Sequence, residues 1–362
     1  MWFSWCGWRG SIIDRNSCRI AHSAERHNKM RTASVPTGLQ LCFSHKTPPT
    51  PPLETVPTHR TKSITSPSNP FIKHCVKLRH SSSYRHSHGH ALVVGTTPIR
   101  EITRFQECKD ERRIVIDSLL LLDGAKVPKG LCSSCSQIVC VSSTVIKKIS
   151  GLQSIDSIEA IALIKIPTSF CNMEDYKGEP NFRHWFPSPH RILVLDGIQD
   201  PGNLGTLLRS ALAFGWKANG ETKAVLGHGK DGAFLLPSCC DPFNEKALRA
   251  SRGACFQLPI VSGEWEHLET LRDEFQMKML AAHPPEDGVQ MTESSFISQL
   301  ADTLARQRTC LVLGSEGHGL SDESKEACEL ITIPKPMPMF HLNVNRLCLF
   351  ILQDAFRAPI SI

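Results

Sequence analysis

Acidic side chains are scarce in the first hundred residues of this 362-residue chain. That segment holds 3 Asp and Glu against 14 Lys and Arg, together with nine of the 16 His. The remainder reverses the balance, with 32 acidic and 27 basic side chains. A basic, acid-poor front indicates an organelle-targeting peptide, a surface that contacts nucleic acid, or both. A solvated charged tail is the remaining interpretation.

Long apolar runs and a disulfide framework are also missing. No apolar run approaches the roughly 20 residues that a membrane-spanning helix needs, which argues against a membrane protein. The 15 Cys are odd in number and scattered over a large chain, a pattern typical of reduced thiols. Cys132 and Cys135 form a single CxxC without a well-spaced second pair, so we predict no metal site.

Residues 1–61 differ in composition from the rest of the chain. They are rich in Arg, Ser, Thr, His and Pro, and the stretch TPPTPPLETVP cannot form a helix or a central strand because proline lacks the N–H donor. This composition fits a transit peptide better than a secretory signal, which needs an apolar core. We predict a disordered transit peptide here, directing the protein to the chloroplast, with the mitochondrion as the alternative.

Three segments follow the predicted transit peptide. Residues 62–165 alternate helix and strand patterns, which predicts a small α/β domain. Residues 166–189 are predicted to be a linker or a covering segment. Residues 190–362 alternate buried strands such as RILVLDG and TCLVLG with amphipathic helices, which predicts a second, parallel α/β domain.

The first of these domains opens with a helix signal. Ser68 or Asn69 can cap a helix that begins near Pro70, because a short polar side chain accepts a free backbone N–H and proline suits the first turn. The HSHGH stretch at 86–90 resembles a metal-binding tract, but we predict a loop there.

Polar or Gly-rich loops follow three strands of the second domain, where ligands gather in parallel sheets. The first loop leads into NLGTLLRSALAFG, in which Asn203 can cap the helix and Arg209 interrupts an apolar pattern. An Arg beside a core face needs a partner or a ligand, although a surface ion pair would also explain it.

The second loop, LVLGSEGHGLSDE, carries three glycines around Glu316. The glycines allow close backbone approach to a ligand, but their GxxGxG order is not the GxGxxG of a dinucleotide fold. The third loop, PKPMPMFHLNV at 334–344, leaves a strand and enters an apolar run that predicts a helix. Anchoring at both ends argues against a disordered connector.

Taken together and in order, these motifs resemble those of the SpoU family of RNA 2′-O-methyltransferases, within the SPOUT or trefoil-knot superfamily. NLGTLLRSALAFG is similar to the family pattern N-x-G-x-x-x-R-x-A-x-x-F-G, and LVLGSEGHGLS is similar to L-V-x-G-x-E-G-x-G-L-S. IPKPMPMFHLNVN aligns with the third family motif. Residues 62–165 resemble the family's small, ribosomal-protein-like substrate-binding domain.

The resemblance implies an α/β fold with a C-terminal trefoil knot, a homodimer, an rRNA or tRNA substrate and S-adenosylmethionine as cofactor. It implies that Arg209, together with a phosphate, helps activate a ribose 2′-hydroxyl, while Asn203 and Glu316 orient the site. A guanidinium suits such a contact because it binds phosphate bidentately. The implied cofactor-binding residues are Gly314, Gly317, Gly319, Ile333, Leu342 and Asn343.

The sequence departs from the family pattern in two places. The third motif lacks its usual glycine within 336–340, and His341 and Asn345 stand at positions where serine is usual. A polar stretch, 217–231, follows the first motif and predicts a surface loop, with a retained intron as the alternative. An RNA-binding protein on the same fold with a decayed cofactor site is therefore the alternative hypothesis.

Basic side chains of the front domain are candidate contacts to RNA phosphates. An ordinary solvated helix face is the competing interpretation. The candidates are Lys73, Lys77, Arg79 and Arg85. Further along, Asp241, Asn244 and Arg249 predict a capped helix start near the site, with structural and substrate roles both open.

Overall fold

A computed structural model describes six stretches of the chain, residues 62–107, 116–131, 135–154, 158–213, 231–283 and 307–332. The predicted transit peptide, residues 217–230 of the predicted surface loop, the third motif and the helix predicted after it lie outside the described residues. No described helix has the length and apolar character needed to cross a membrane.

The front domain is built on a five-stranded mixed sheet. Its strands are β1 Lys62–Ile64, β2 His90–Val94, β3 Ile116–Leu122, β4 Ile138–Val141 and β5 Ile161–Lys165. They lie in the order β1-β4-β3-β5-β2, with β5 antiparallel to both its neighbours and the other pairs parallel. The predicted alternation of helix and strand is thus confirmed.

Four helices accompany this sheet: α1 Pro70–His80, α2 Ser82–His88, α3 Thr96–Glu107 and α4 Ser143–Ser150. The predicted start of α1 is confirmed, because Asn69 Oδ1 accepts a 2.9 Å hydrogen bond from Phe71 N. The predicted loop at 86–90 is wrong. His86 and His88 lie in the last turn of α2, and Gly89, at a φ of 63°, ends the helix directly before β2. A glycine adopts this left-handed conformation without a Cβ penalty, so two elements follow without a loop.

The second domain contains a seven-stranded sheet in which every described pair is parallel. Its strands are β6 Phe170–Asn172, β7 Arg191–Asp196, β8 Gly232–Leu235, β9 Ile260–Ser262, β10 Lys278–His283, β11 Thr309–Gly314 and β12 Glu329–Thr332. Their order is β12-β10-β11-β7-β8-β9-β6. The described helices of this domain are α5 Pro201–Ala213, α6 Glu245–Ser251, α7 Trp265–Phe275 and α8 Asp322–Ala327.

Strand β7 shows why this sheet is covered on both faces. Leu193 and Leu195 pack in the cluster that contains the apolar side chains of α5 and α6. Ile192 and Val194 pack in the cluster that contains those of α7. Because successive side chains of a strand point to opposite faces, a continuous apolar run needs a cover on each side.

Residues 166–189, predicted to be a linker or a covering segment, pack against the second sheet and contribute a strand to it. Strand β6 pairs with β9 from Phe170 to Asn172. Phe182 and Phe186 are fully buried, and Trp185 is nearly so. Burial of these three aromatic rings stabilises the segment against the sheet, so of the two predicted alternatives it is a covering segment and not a linker.

Candidate active site

The loops after β7, β8, β9 and β11 meet at the carboxyl edge of the second sheet. They enclose a cleft of about 500 Å³ whose walls include Gly197, Ser238, Glu264, Trp265 and Ser315. A smaller cleft of about 220 Å³ adjoins it and shares Gly197 and Ser315. Parallel α/β sheets bind ligands at this edge, so the clefts define the candidate site.

The turn from β7 into α5 places Asn203 at the smaller cleft. Asp200 Oδ1 accepts a 2.8 Å hydrogen bond from Asn203 N, and Pro201 is the first residue of α5. Asp200 therefore caps the helix, and the prediction that Asn203 caps it is wrong. Proline suits the first helical position, so the helix begins two residues before Asn203.

Arg209 lies two turns further along α5. Its side chain is exposed, while Leu208 and Ser210 beside it are buried. It takes part in none of the ion pairs among the described residues. Six residues separate it from Asn203, which is about 9 Å along the axis and roughly 240° around it. Arg209 consequently does not line either cleft.

Gly205 explains why α5 approaches α6 so closely. A Cβ placed there would lie 2.4 Å from Ala247 O and 2.8 Å from Ala250 Cβ. Only a residue without a side chain fits at this crossing, and the glycine of the first motif is thus a packing requirement. The predicted capped start of α6 is confirmed, because Asn244 Oδ1 accepts a 2.9 Å hydrogen bond from Lys246 N.

The Gly-rich loop after β11 folds back on itself. Ser315 and Gly319 exchange backbone hydrogen bonds of 2.9 and 3.0 Å, and Gly319 has a φ of 72°. A Cβ on Gly314 would lie 2.3 Å from Gly319 O, so the strand end and the returning loop touch backbone to backbone. Glu316 and Gly317 are exposed at the tip, where both line the smaller cleft.

Asp196, at the end of β7, fixes this loop to the sheet. Its buried carboxylate accepts hydrogen bonds from Ser321 N at 2.7 Å and Ser324 Oγ at 2.6 Å, both at the start of α8. We did not single out Asp196 from the sequence. Its place directly after the buried run RILVL is the signal that could have found it, since an acid at a buried strand end needs donors from elsewhere.

The structure thus brings together two of the three predicted catalytic residues. Asn203 and Glu316 line the same cleft, and Arg209 lies outside it. The predicted cofactor residues Gly314, Gly317 and Gly319 belong to the loop beside both clefts. The other three, Ile333, Leu342 and Asn343, lie outside the described residues.

The predicted RNA contacts of the front domain differ in their surroundings. Lys73 and Lys77 are exposed. Arg79 is half-buried and donates to the carbonyl oxygens of Lys148 and Ile149, at the end of α4. These bonds satisfy free carbonyl groups at a helix terminus, so Arg79 stabilises the fold.

Arg85 is buried against the second domain, which corrects its assignment as an RNA contact. Its guanidinium donates to Asp241 Oδ2 from Nε at 2.7 Å and from Nη2 at 2.6 Å. Nη1 donates to the carbonyl oxygens of Leu78 and Arg79. Every nitrogen of this buried group has a protein acceptor, so the guanidinium stabilises the fold and is not an exposed phosphate contact.

The Asp241 carboxylate has two further partners on α2. Ser82 Oγ donates to Asp241 Oδ2 at 2.8 Å, and His86 Nε2 lies 3.4 Å from the same oxygen. Burial alone would raise the pKa of Asp241. The hydrogen bond from His86 and the positive charge of Arg85 outweigh burial and lower the pKa to about 2. Asp241 is therefore a carboxylate that joins the two domains.

The described residues hold no cluster of His, Cys, Asp and Glu suited to a metal ion. Burial raises the pKa of the Cys239 thiol to about 12, and its Sγ donates to Leu195 O. The pKa of Cys255 is raised to about 12 for the same reason. A thiol reacts as its thiolate, so these two residues are structural.

Comparison with known proteins identifies the second domain. Residues 190–346 match the SpoU rRNA Methylase family. The match covers the second domain, less than half of the chain. An uncharacterized tRNA/rRNA methyltransferase of Synechocystis is 27% identical over 285 residues, which are 78% of this chain and 89% of that protein. The 23S rRNA (guanosine(2553)-2′-O)-methyltransferase of Bacillus subtilis is 23% identical over 74% of this chain and 88% of its own length.

Solved structures support the same fold. An RNA 2′-O ribose methyltransferase superposes with a TM-score of 0.59 at 23% identity, covering 82% of this chain and 98% of its own. An AdoMet-bound rRNA methyltransferase from Sinorhizobium meliloti superposes with a TM-score of 0.58 at 20% identity, covering 83% and 99%. The predicted mixed α/β fold is thereby confirmed for this chain.

Proposed function

We propose that the protein is an S-adenosylmethionine-dependent ribose 2′-O-methyltransferase of rRNA or tRNA. One observation carries the proposal. Asn203 of the first SpoU motif and Glu316 of the second line a single cleft at the carboxyl edge of the parallel sheet. The two motifs lie more than a hundred residues apart, so it is the fold that brings them together.

The described part of the site suits the cofactor. The loop after β11 is compact enough that Gly314 tolerates no side chain, and residues 315 and 318–321 line the 500 Å³ cleft beside it. That volume falls within the range of about 300–1,000 Å³ usual for small-molecule sites. Of the predicted cofactor residues, Gly319 lines the larger cleft and Gly317 the smaller one, and they would contact the cofactor there, while Gly314 ends β11 and supports the loop. S-adenosylmethionine supplies, when bound, a methyl group on a sulfonium.

Each motif residue has a role that its surroundings permit. The exposed guanidinium of Arg209 can bind an RNA phosphate bidentately. Because Arg209 does not line the cleft of its own chain, we assign it to holding this phosphate, and activation of the 2′-hydroxyl by the arginine–phosphate pair is what the family resemblance implies. The amide of Asn203 and the carboxylate of Glu316 can orient the ribose by hydrogen bonds. Positioning of the reacting groups would supply most of the catalysis.

Calorimetric titration of the purified chain with S-adenosylmethionine tests the cofactor assignment. We expect micromolar binding by the wild type, and at least a tenfold loss in Gly314→Ala because the new methyl group displaces the returning loop. Arg104→Ala, an exposed change on α3, is the matched control and should bind like the wild type. A folded wild-type protein that binds no S-adenosylmethionine would contradict the proposal and favour an RNA-binding protein with a decayed cofactor site.

Assembly and location extend the proposal. We propose a homodimer, on the resemblance of the motifs to the SpoU family, and light scattering on the purified chain measures its mass directly. We also propose import into the chloroplast, on the basic, acid-poor composition of residues 1–61. Fluorescent-protein fusions with and without those residues test the second proposal, and mitochondrial fluorescence would overturn it.

A further inference from the structure

An exposed group of rings and cations lies where α1 meets α2. The ring centroids of Tyr84 and His88 are 3.9 Å apart at an interplanar angle of 31°. The His74 ring lies 5.6 Å from that of Tyr84, and Lys77 Nζ lies 5.4 Å from the centre of the tyrosine ring. We call these four residues the α1–α2 platform. None of them contributes to the candidate active site.

Helix geometry and hydrogen bonds preorganise the platform. Tyr84 and His88 are four residues apart on α2, while His74 and Lys77 are three apart on α1, so each pair shares a helix face. The Tyr84 hydroxyl and His74 Nδ1 are hydrogen bonded at 3.0 Å. His88 Nδ1 donates to Tyr84 O at 3.0 Å. The rings are therefore oriented before any ligand arrives.

The charge around the platform is positive. Neither α1 nor α2 contains an acidic residue, and Lys73 and Lys77 are exposed. Asp241, Asp117 and Glu245 lie near these two helices or β2, and each has a basic partner. Asp241 pairs with Arg85, Asp117 with His90 and Glu245 with Arg249. Aromatic rings interleaved with exposed cations suit single-stranded nucleic acid, whose bases stack while its phosphates contact the cations.

The opposite face of α2 contacts the second domain. Arg85 and Ser82 both donate to the buried carboxylate of Asp241, and the His86 ring stacks on Phe170 at 5.1 Å. Because these contacts fix the seven-residue helix, the platform keeps a fixed position relative to the second domain. RNA bound there would be held at a fixed position relative to the candidate active site.

We propose that the α1–α2 platform binds an unpaired nucleotide of the RNA substrate. The base stacks on the exposed His88 ring, which Tyr84 supports from behind, and Lys77 and Lys73 contact the neighbouring phosphates. This inference rests on the proposed function, because it names the part of the substrate that the front domain recognises.

Binding of a fluorescein-labelled, unstructured 15-nucleotide RNA to the full-length chain, followed by anisotropy, tests the platform. His88→Ala should weaken binding at least fivefold, the usual effect of removing one stacking ring. Tyr84→Phe keeps the ring and should stay within twofold of the wild type. His184→Ala, an exposed histidine of the second domain, is the matched control and should also bind normally.

An RNA carrying abasic sites separates stacking from charge. If the platform holds a base, abasic RNA binds the wild type as weakly as intact RNA binds His88→Ala, and the two losses do not add. A His88→Ala protein that folds normally and binds intact RNA like the wild type would overturn the proposal. The assay contains no S-adenosylmethionine, so a failed methyltransferase assignment would show in calorimetry alone and leave this result unaffected.

Discussion

Replacing Asp241 by Asn should strongly destabilise the protein, because it removes the carboxylate that joins the two domains. Asp241 forms an ion pair with Arg85 that is almost completely buried, with 3% of the Arg85 side chain and 8% of the Asp241 side chain exposed. The variant leaves the guanidinium buried without a counter-charge. Breaking a buried pair in this way costs about 3–5 kcal/mol in other proteins.

The pKa of Asp241 gives a second measure of the same interaction. It falls from an ordinary 3.8 to about 2, because the His86 hydrogen bond and the Arg85 charge outweigh burial. At 1.36 kcal/mol per pKa unit, this is roughly 2 kcal/mol. The carboxylate contributes this stability in full above the unfolded-state pKa, and it is lost as the pH falls towards 2. Since the Asn oxygen can still accept one hydrogen bond, we expect a loss of about 2–4 kcal/mol at pH 7.

Urea denaturation followed by tryptophan fluorescence measures this loss. Asp322→Asn breaks an exposed pair with Lys325, whose aspartate is 90% exposed, and should change the free energy of unfolding by less than about 0.5 kcal/mol. The gap between wild type and Asp241→Asn should narrow as the pH is lowered from 4 towards 2. An Asp241→Asn protein within 0.5 kcal/mol of the wild type at pH 7 would refute this reasoning.

Three further predictions follow from the second domain. Gly205→Ala should cost about 1–3 kcal/mol in urea denaturation, because its Cβ would lie 2.4 Å from Ala247 O, and an unchanged midpoint would refute the close approach of α5 and α6. Gly314→Ala should lower the thermal midpoint by several degrees. Gly317→Ala should leave the midpoint unchanged, because a Cβ there has no atom within 4 Å. Equal midpoints for the two variants would contradict the packing of the loop against β11. Arg209→Ala should change the free energy of unfolding by less than about 0.5 kcal/mol, because the side chain is exposed. A large loss of stability would instead assign Arg209 a role in the fold.

Local signals in the sequence predicted local structure well. Strands β7 and β11 could be predicted because each is a short apolar run bounded by polar or glycine residues. The start of α1 could be predicted because the cap and the first proline are neighbours. The start of α5 was misplaced because Asp200 and Asn203 are both good caps, and only the position of Pro201 favours the first.

Features that depend on distant partners could not be predicted in this way. Arg85 has the composition and position of an RNA contact, but its partner Asp241 lies 156 residues further along the chain. Strand β6 has only three residues, too few for a periodic pattern, and its pairing with β9 determines its structure. Asp196 likewise acquires its role from donors on α8, more than a hundred residues away.

Methyl transfer to RNA ribose tests the central claim most directly. The full-length chain is incubated with organellar RNA and S-adenosylmethionine carrying a tritiated methyl group, and the RNA is then hydrolysed with alkali. A 2′-O-methyl group blocks cleavage at its own nucleotide, so we predict label in alkali-resistant dinucleotides, and its loss in the stably folded Arg209→Ala variant. Label found only in mononucleotides, or equal transfer by the wild type and Arg209→Ala, would contradict the account.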